Sequence, residues 1–337
     1  MKLSIYTLRD IALGAAEVVE TEQGIIFHRF TREQRDFYRE RNLGFYKKAL
    51  APSGVKLRFR TDSTVLGIKG AALSGSTRKY YSFDLFVNGE KRESFENFTH
   101  LTEKPVNSDE YPLGDFAKEF DLGAGEKEVL LYFPWSVQVY FSEIYVSDES
   151  FLEPVKPEKK MLVFGDSITQ GYDAAYSCNS YVSRLCRLLG VEEFNKAIGG
   201  EVFWPALAEA KETFVPDLIS VAYGTNDWSK SKTLEEFRDN AKGFFVNLSK
   251  TYPGVPIYAV SPIWRKNYML EKPCGDFHGV QKYFEEIARE IPQMTVIRGW
   301  DFVPQDSQYF RDGTLHPNDE GFAFYADALY AELKKLI

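Results

Sequence analysis

The 337-residue chain is poor in cysteine, histidine and methionine, with three, four and four respectively. Cys178, Cys186 and Cys274 make an odd count without a CxxC pair, which argues against a disulfide framework and against a cysteine zinc site. No run approaches the roughly 18 uninterrupted apolar residues that a membrane helix needs. Excess positive charge is missing too: the formal net charge is −8, which would repel a phosphate backbone, so nucleic acid and membrane are both excluded as expected partners. The N-terminal stretch carries Arg9, Asp10 and Glu17 where a signal peptide would be apolar. It reads as mature folded sequence, and with free cysteines a reducing cytoplasm is the expected location.

What is present is ordinary globular composition, 44% hydrophobic and 27% charged, with 15% aromatic residues. That aromatic content suits stacking on sugar rings, and equally the core of a large β-sandwich. The length accommodates two domains.

Up to about residue 150 the pattern is one of short strands. The segment 53–70 alternates around Val55, Leu57 and Phe59 and then around Val65, Leu66 and Ile68, while 79–91 ends in Asn88-Gly89, a hairpin signal. Two further strands in 126–147 break at Pro134, and little helical periodicity occurs outside 31–42. The expectation is an antiparallel sandwich. EPVKPEKK (153–160) reads as a linker.

Thereafter strands at 161–164, 218–223, 256–260 and 294–297 alternate with helices at 180–189, 234–248, 280–291 and 320–336. Such alternation implies a parallel sheet covered on both faces, with ligands gathering beyond the carboxyl ends of its strands.

Four segments fall at those ends: GDSIT (165–169), AIGGE (197–201), GTND (224–227) and DGTLHPND (312–319). Ser167 follows a strand and opens a helix, a position that suits an exposed nucleophile and equally a helix cap; its surroundings are not the GxSxG elbow. His316, in a loop beside Pro317, is the candidate base. His28 and His100 fall in the sandwich and His278 begins a helix. An imidazole can accept a serine proton near neutral pH when a third group fixes its tautomer. Asp312, four residues earlier, is the candidate for that group, although Asp312-Gly313 is also plain turn chemistry. The Ser167 and Gly200 amides and the Asn226 side chain would supply oxyanion donors.

Together the four segments resemble the SGNH/GDSL hydrolase family over roughly residues 160–337. The resemblance implies Ser167 as nucleophile, Gly200 and Asn226 as oxyanion donors and His316 as base, acting in ester hydrolysis through an acyl-enzyme on a flavodoxin-like three-layer α/β/α fold, without a metal or other cofactor. In one respect the chain departs from the family, which usually places its acid three residues before the histidine, where Gly313 stands here. A triad through Asp312, a Ser167/His316 dyad, and a weaker substitute in Asp301 remain open.

An N-terminal, jelly-roll-like β-sandwich (1–152) before an SGNH domain (153–337) is similar to two-domain carbohydrate esterases that remove acetyl groups from plant polysaccharides. The implied substrate is an acetylated xylo- or manno-oligosaccharide, with Trp204, Trp228 and Trp264 as stacking platforms. The alternatives are a lipid or thioester acyl hydrolase and a non-catalytic glycan-binding protein. A homo-oligomer is left open.

Overall fold

The computed structural model describes residues 1–102, 105 and 110–337. Its second half is built on a five-stranded parallel sheet in the order Glu192–Asn195, Lys160–Gly165, Leu218–Ala222, Ile257–Val260, Met294–Ile297. Alternation along the second of these strands decides the layers. Leu162 and Phe164 join the core beneath the helices Leu234–Thr251 and Phe277–Arg289, while Met161 and Val163 join the one beneath Tyr181–Leu189 and Asp319–Leu333. Strand order reverses on either side of Lys160–Gly165, the switch point where open α/β sheets form their crevice.

The helix starts are encoded locally. Ser180, Thr233, Asp276 and Asn318 each accept an amide of the first turn through the side chain. The helix expected over 31–42 runs Arg32–Arg41 behind a Thr31/Gln34 capping box.

The first half folds as two antiparallel sheets. One runs Glu17–Thr21, Gly24–His28, Val137–Val146, Val65–Ser74, Gly114–Asp121. The other runs Ala12–Leu13, Lys56–Thr61, Lys127–Tyr132, Ser82–Val87, Glu90–Glu96. Val55, Leu57, Phe59, Leu66 and Ile68 are buried between them. Asn88 and Gly89 take positive φ (50° and 83°) and close the hairpin between Ser82–Val87 and Glu90–Glu96. Part of the proline-rich linker is ordered against this sheet: Glu153–Pro154 pairs with Lys56–Thr61.

Several elements lay outside the sequence reading, three of them instructive. Ile5–Ile11 and Leu43–Ala49 are helices too short to show periodicity. The strand Glu192–Asn195 is hidden by its two acidic residues, which are buried because the first half of the chain supplies their partners. Lys56 Nζ lies 2.9 Å from Glu193, and the Gly14 amide donates to Glu192 at 2.9 Å. The halves also share apolar core, with Phe30, Tyr38 and Ala49 in the same cluster as Phe164 and Tyr223.

Candidate active site

Ser167 sits where the strand Lys160–Gly165 turns into the short helix Ser167–Gln170, capped by Asp166, whose carboxylate accepts the Ile168 amide at 3.0 Å. From the far end of the chain His316 Nε2 lies 2.9 Å from Ser167 Oγ, and its Nδ1 lies 2.7 Å from Asp312 Oδ2. The spacing of four residues is accommodated by a loop wrapped around the carboxylate. Asp312 Oδ1 accepts the amides of Thr314, Leu315 and His316 at 2.9, 2.7 and 3.1 Å. Partial burial alone would raise the Asp312 pKa, but the His316 contact and these amides hold it well below the usual carboxylate range. Asp301 accepts from Gln305 at 3.0 Å, outside this constellation.

A second carboxylate stands behind the first. Asp173 is buried, with Oδ2 3.7 Å from His316 Nδ1, and is ion-paired at 2.8 Å with Arg78 of the sandwich; Tyr80 donates to it at 3.2 Å. Asp173 holds a positive φ of 74°, and the turn around it is clamped by Trp135, whose indole donates to Ala174 O at 3.0 Å and whose ring lies 4.9 Å from Tyr172. Neither Asp173 nor Arg78 was singled out from sequence, since no spacing links position 78 to position 173. Asp173, Asp312 and His316 offer three ligand atoms within 4.8 Å of one another. Each of these atoms already has a hydrogen-bond or ion-pair partner, which makes the set a histidine held by carboxylates.

The segment 197–201 forms the opposite lip. A Cβ on Gly199 would come within 2.5 Å of the Tyr172 ring, and Gly200 holds a φ of +85°, so both positions require glycine. The fully buried Arg29 fixes the approach to this lip by donating to the carbonyls of Asn195 and Ala197, both at 2.8 Å, and Gln170 accepts the Gly199 amide at 2.7 Å. Asn226 lies in the short helix Thr225–Lys230 that follows Leu218–Ala222. Its Nδ2 is buried and has no hydrogen-bond partner among the described residues. A donor desolvated without a partner is costly, the condition expected of one kept for charge that develops during a reaction.

Three acids underlie the site. Burial raises Asp166 to about 6, Asp227 to about 7 and Glu201 to about 8, although each accepts hydrogen bonds that pull the other way. Asp227 accepts from the Phe203 and Gly224 amides, and Glu201 from the Tyr38 and Tyr223 hydroxyls.

Two of the three tryptophans need correction as sugar platforms. Trp228 is fully buried against Phe277, its indole donating to Gly275 O at 2.9 Å, and Trp264 is buried against Phe310. Both rings join the apolar layers that flank the sheet, Trp228 with Phe277 and Phe284 and Trp264 with Phe302 and Phe310. Trp204 is partly buried beside Phe37 and Arg41. The other histidines stand apart: burial lowers His28 to about 4, and His278 contacts Gln281.

The family model for GDSL-like lipases/acylhydrolases matches residues 163–324. The parallel-sheet half of this chain belongs to that family. As a GDSL acylhydrolase the protein is an ester-bond hydrolase. No curated protein matches the chain. Among solved structures, the fold is similar over both halves to a salicylyl-acyltransferase from a tetracycline biosynthetic pathway, at 20% identity and TM-score 0.80, covering 96% of this chain and 94% of that one. It is similar to an acetyl xylan esterase from the rumen bacterium Butyrivibrio proteoclasticus, at 15% identity and TM-score 0.62, covering 99% and 98%. A family two carbohydrate esterase from Clostridium thermocellum, in complex with cellohexaose, shares the fold at 18% identity and TM-score 0.63, covering 84% and 92%. Among the described residues no helix of this GDSL protein is long and apolar enough to cross a membrane.

Proposed function

We propose that the protein is a serine esterase that removes acetyl groups from plant-type oligosaccharides through an acyl-enzyme on Ser167. The observation that carries this reading is the relay from Asp312 through His316 to Ser167, with contacts of 2.7 and 2.9 Å; the buried Asn226 Nδ2, without a partner among the described residues, adds to it.

In the first step Ser167 Oγ attacks the acetyl carbonyl while His316 Nε2 takes its proton. The tetrahedral oxyanion receives hydrogen bonds from the Ser167 and Gly200 amides and from Asn226 Nδ2. His316 returns the proton to the departing sugar oxygen as the C–O bond breaks, leaving acetyl-Ser167. Water then attacks that ester, His316 takes its proton, and the proton passes to Ser167 Oγ as acetate leaves. Asp312 holds the imidazole tautomer and faces the imidazolium that forms in each half-reaction.

The sugar is suggested by likeness to the acetyl xylan esterase and the cellohexaose-bound esterase. Acetylated xylo- and manno-oligosaccharides, followed by mass spectrometry for acetyl loss, test the substrate. Faster cleavage of p-nitrophenyl octanoate than of the acetate would retire the deacetylase in favour of a lipid or thioester hydrolase. Undiminished turnover in S167A would retire Ser167 as the nucleophile, and binding of glycans without any esterase turnover in the wild-type protein would favour a glycan-binding role.

A second reading is acyl transfer to an acceptor other than water, favoured by the fold likeness to the salicylyl-acyltransferase. Product analysis with added alcohols separates transfer from hydrolysis.

A further inference from the structure

The lip formed by Gly199 and Gly200 carries two lysines that make no salt bridge among the described residues. Lys48, from the helix Leu43–Ala49, donates to the carbonyl of Gly199, and Lys230, one helical turn beyond Asn226, donates to the carbonyl of Gly200. Their ammonium nitrogens lie 3.7 and 3.3 Å from the point where a Cβ on Gly200 would sit, and both flank the Phe45 ring, at 5.4 and 5.7 Å from its centroid. Two like charges are thus gathered within contact distance of one glycine.

Elsewhere lysines on this acidic chain find partners, as in Lys69–Glu143 and Lys242–Glu290, both within 2.8 Å. Among the described residues neither Lys48 nor Lys230 forms a salt bridge. The acids that face them are Asp166, Asp227 and Glu201, buried beneath the lip and engaged by their own amide and hydroxyl donors. Arg78 adds a third cation that acts on Lys48. Burial, together with the Lys230 charge, lowers Lys48 to about 8, as expected for an ammonium short of counter-charge. Each ammonium has three donors, and the lip carbonyl takes one from each.

We infer that Lys48 and Lys230 form an anion subsite beside the oxyanion donors, which receives a carboxylate carried by the ester substrate. The inference rests on the proposed reading of the site and narrows its substrate class. The carboxylate has two chemical sources, a uronic acid in the sugar or the free end of a dicarboxylic acyl group.

The test compares kcat/KM for matched pairs of esters. One pair is O-acetyl glucuronate against O-acetyl glucose; the other is p-nitrophenyl hydrogen succinate against p-nitrophenyl acetate. In one pair the wild-type enzyme is expected to favour the carboxylated ester by roughly tenfold or more, the size of one charge-assisted hydrogen bond. That preference collapses towards unity in K48M and in K230M and survives in K230R. The pair that responds identifies the source.

Because the lysines also hold the lip, a purely structural role would lower both esters of a pair together and leave the ratio intact, which would overturn the inference. Equal rates within both wild-type pairs would do the same. Calorimetric titration of S167A with glucuronate and succinate gives a readout that needs no turnover. Binding of one of them, weakened in the K48M background, supports the subsite, and binding of neither sinks it. Activity of S167A on p-nitrophenyl acetate would instead strike at the nucleophile assignment.

Discussion

The carboxylate of Asp173 lies 3.7 Å from His316 Nδ1, behind that of Asp312, which holds the same nitrogen at 2.7 Å. Two acids therefore face one imidazole, one from the histidine's own loop and one from the turn after Ser167. Removing the nearer acid leaves the farther one to orient the ring. D312N is expected to lower kcat by about 10²-fold, and D312N/D173N to approach the roughly 10⁴-fold loss of a histidine without a carboxylate partner. Steady-state kinetics of the single and double variants decide this; a double variant no slower than D312N would leave Asp173 without a role in orientation.

The unpartnered Asn226 amide is the proposed oxyanion donor best suited to a test by removal. N226A is expected to reduce kcat by about 10²- to 10³-fold with little change in KM, because the bond forms only as charge develops. A rise in KM at constant kcat would place the amide on the ground-state substrate instead.

Arg78 ties the sandwich to the site through Asp173, whose side chain is 0% exposed. Truncating one partner of a buried pair leaves an uncompensated charge, so R78M is expected to cost about 3 kcal/mol. R78M/D173N removes both charges and recovers part of that loss. Denaturant unfolding of the four members of this cycle measures the coupling, and additive losses would contradict the pairing.

Glu201 links stability to pH. Burial raises its pKa from the ordinary 4.5 to about 8. Between those values the folded protein holds a proton that the unfolded chain has released, so stability falls as pH rises from about 4.5 to about 8 and then levels off. Removing the carboxylate in E201Q should flatten this decline, by an amount on the order of a few kcal/mol. Thermal melts across that range read the slope directly. A wild-type slope retained in E201Q would assign the effect to other groups, Asp166 and Asp227 first.

Most of the parallel half was legible along the chain. The strands Lys160–Gly165, Leu218–Ala222, Ile257–Val260 and Met294–Ile297 follow the expected apolar runs, and helix starts follow Ser180, Thr233 and Asp276. Burial of both sheet faces imposes continuous apolar strands, and capping is a local hydrogen bond. The strand Glu192–Asn195 escaped because its buried carboxylates depend on Lys56 and Gly14, far away in sequence. Trp228 and Trp264 were misjudged for a related reason: a tryptophan after a strand has the same local signature whether its ring meets solvent or core.

Ser167, Gly200, Asn226, Asp312 and His316 were legible as residue types in ordered segments, because turn and cap chemistry is written locally. The convergence of Ser167, His316 and Asp312, and the arrival of Arg78 behind His316 and of Lys48 beside Gly200, were decided by tertiary structure. The contact of His316 with Ser167, 149 residues apart, depends on how the strands and helices of the parallel half close on one another, whereas those of Arg78 and Lys48 depend on how the two halves dock; both are set by the summed shape and charge of buried faces. The sequence determined which groups could do chemistry; packing within the parallel half decided which of them share a proton or a carboxylate, and packing between the halves which cations stand beside them.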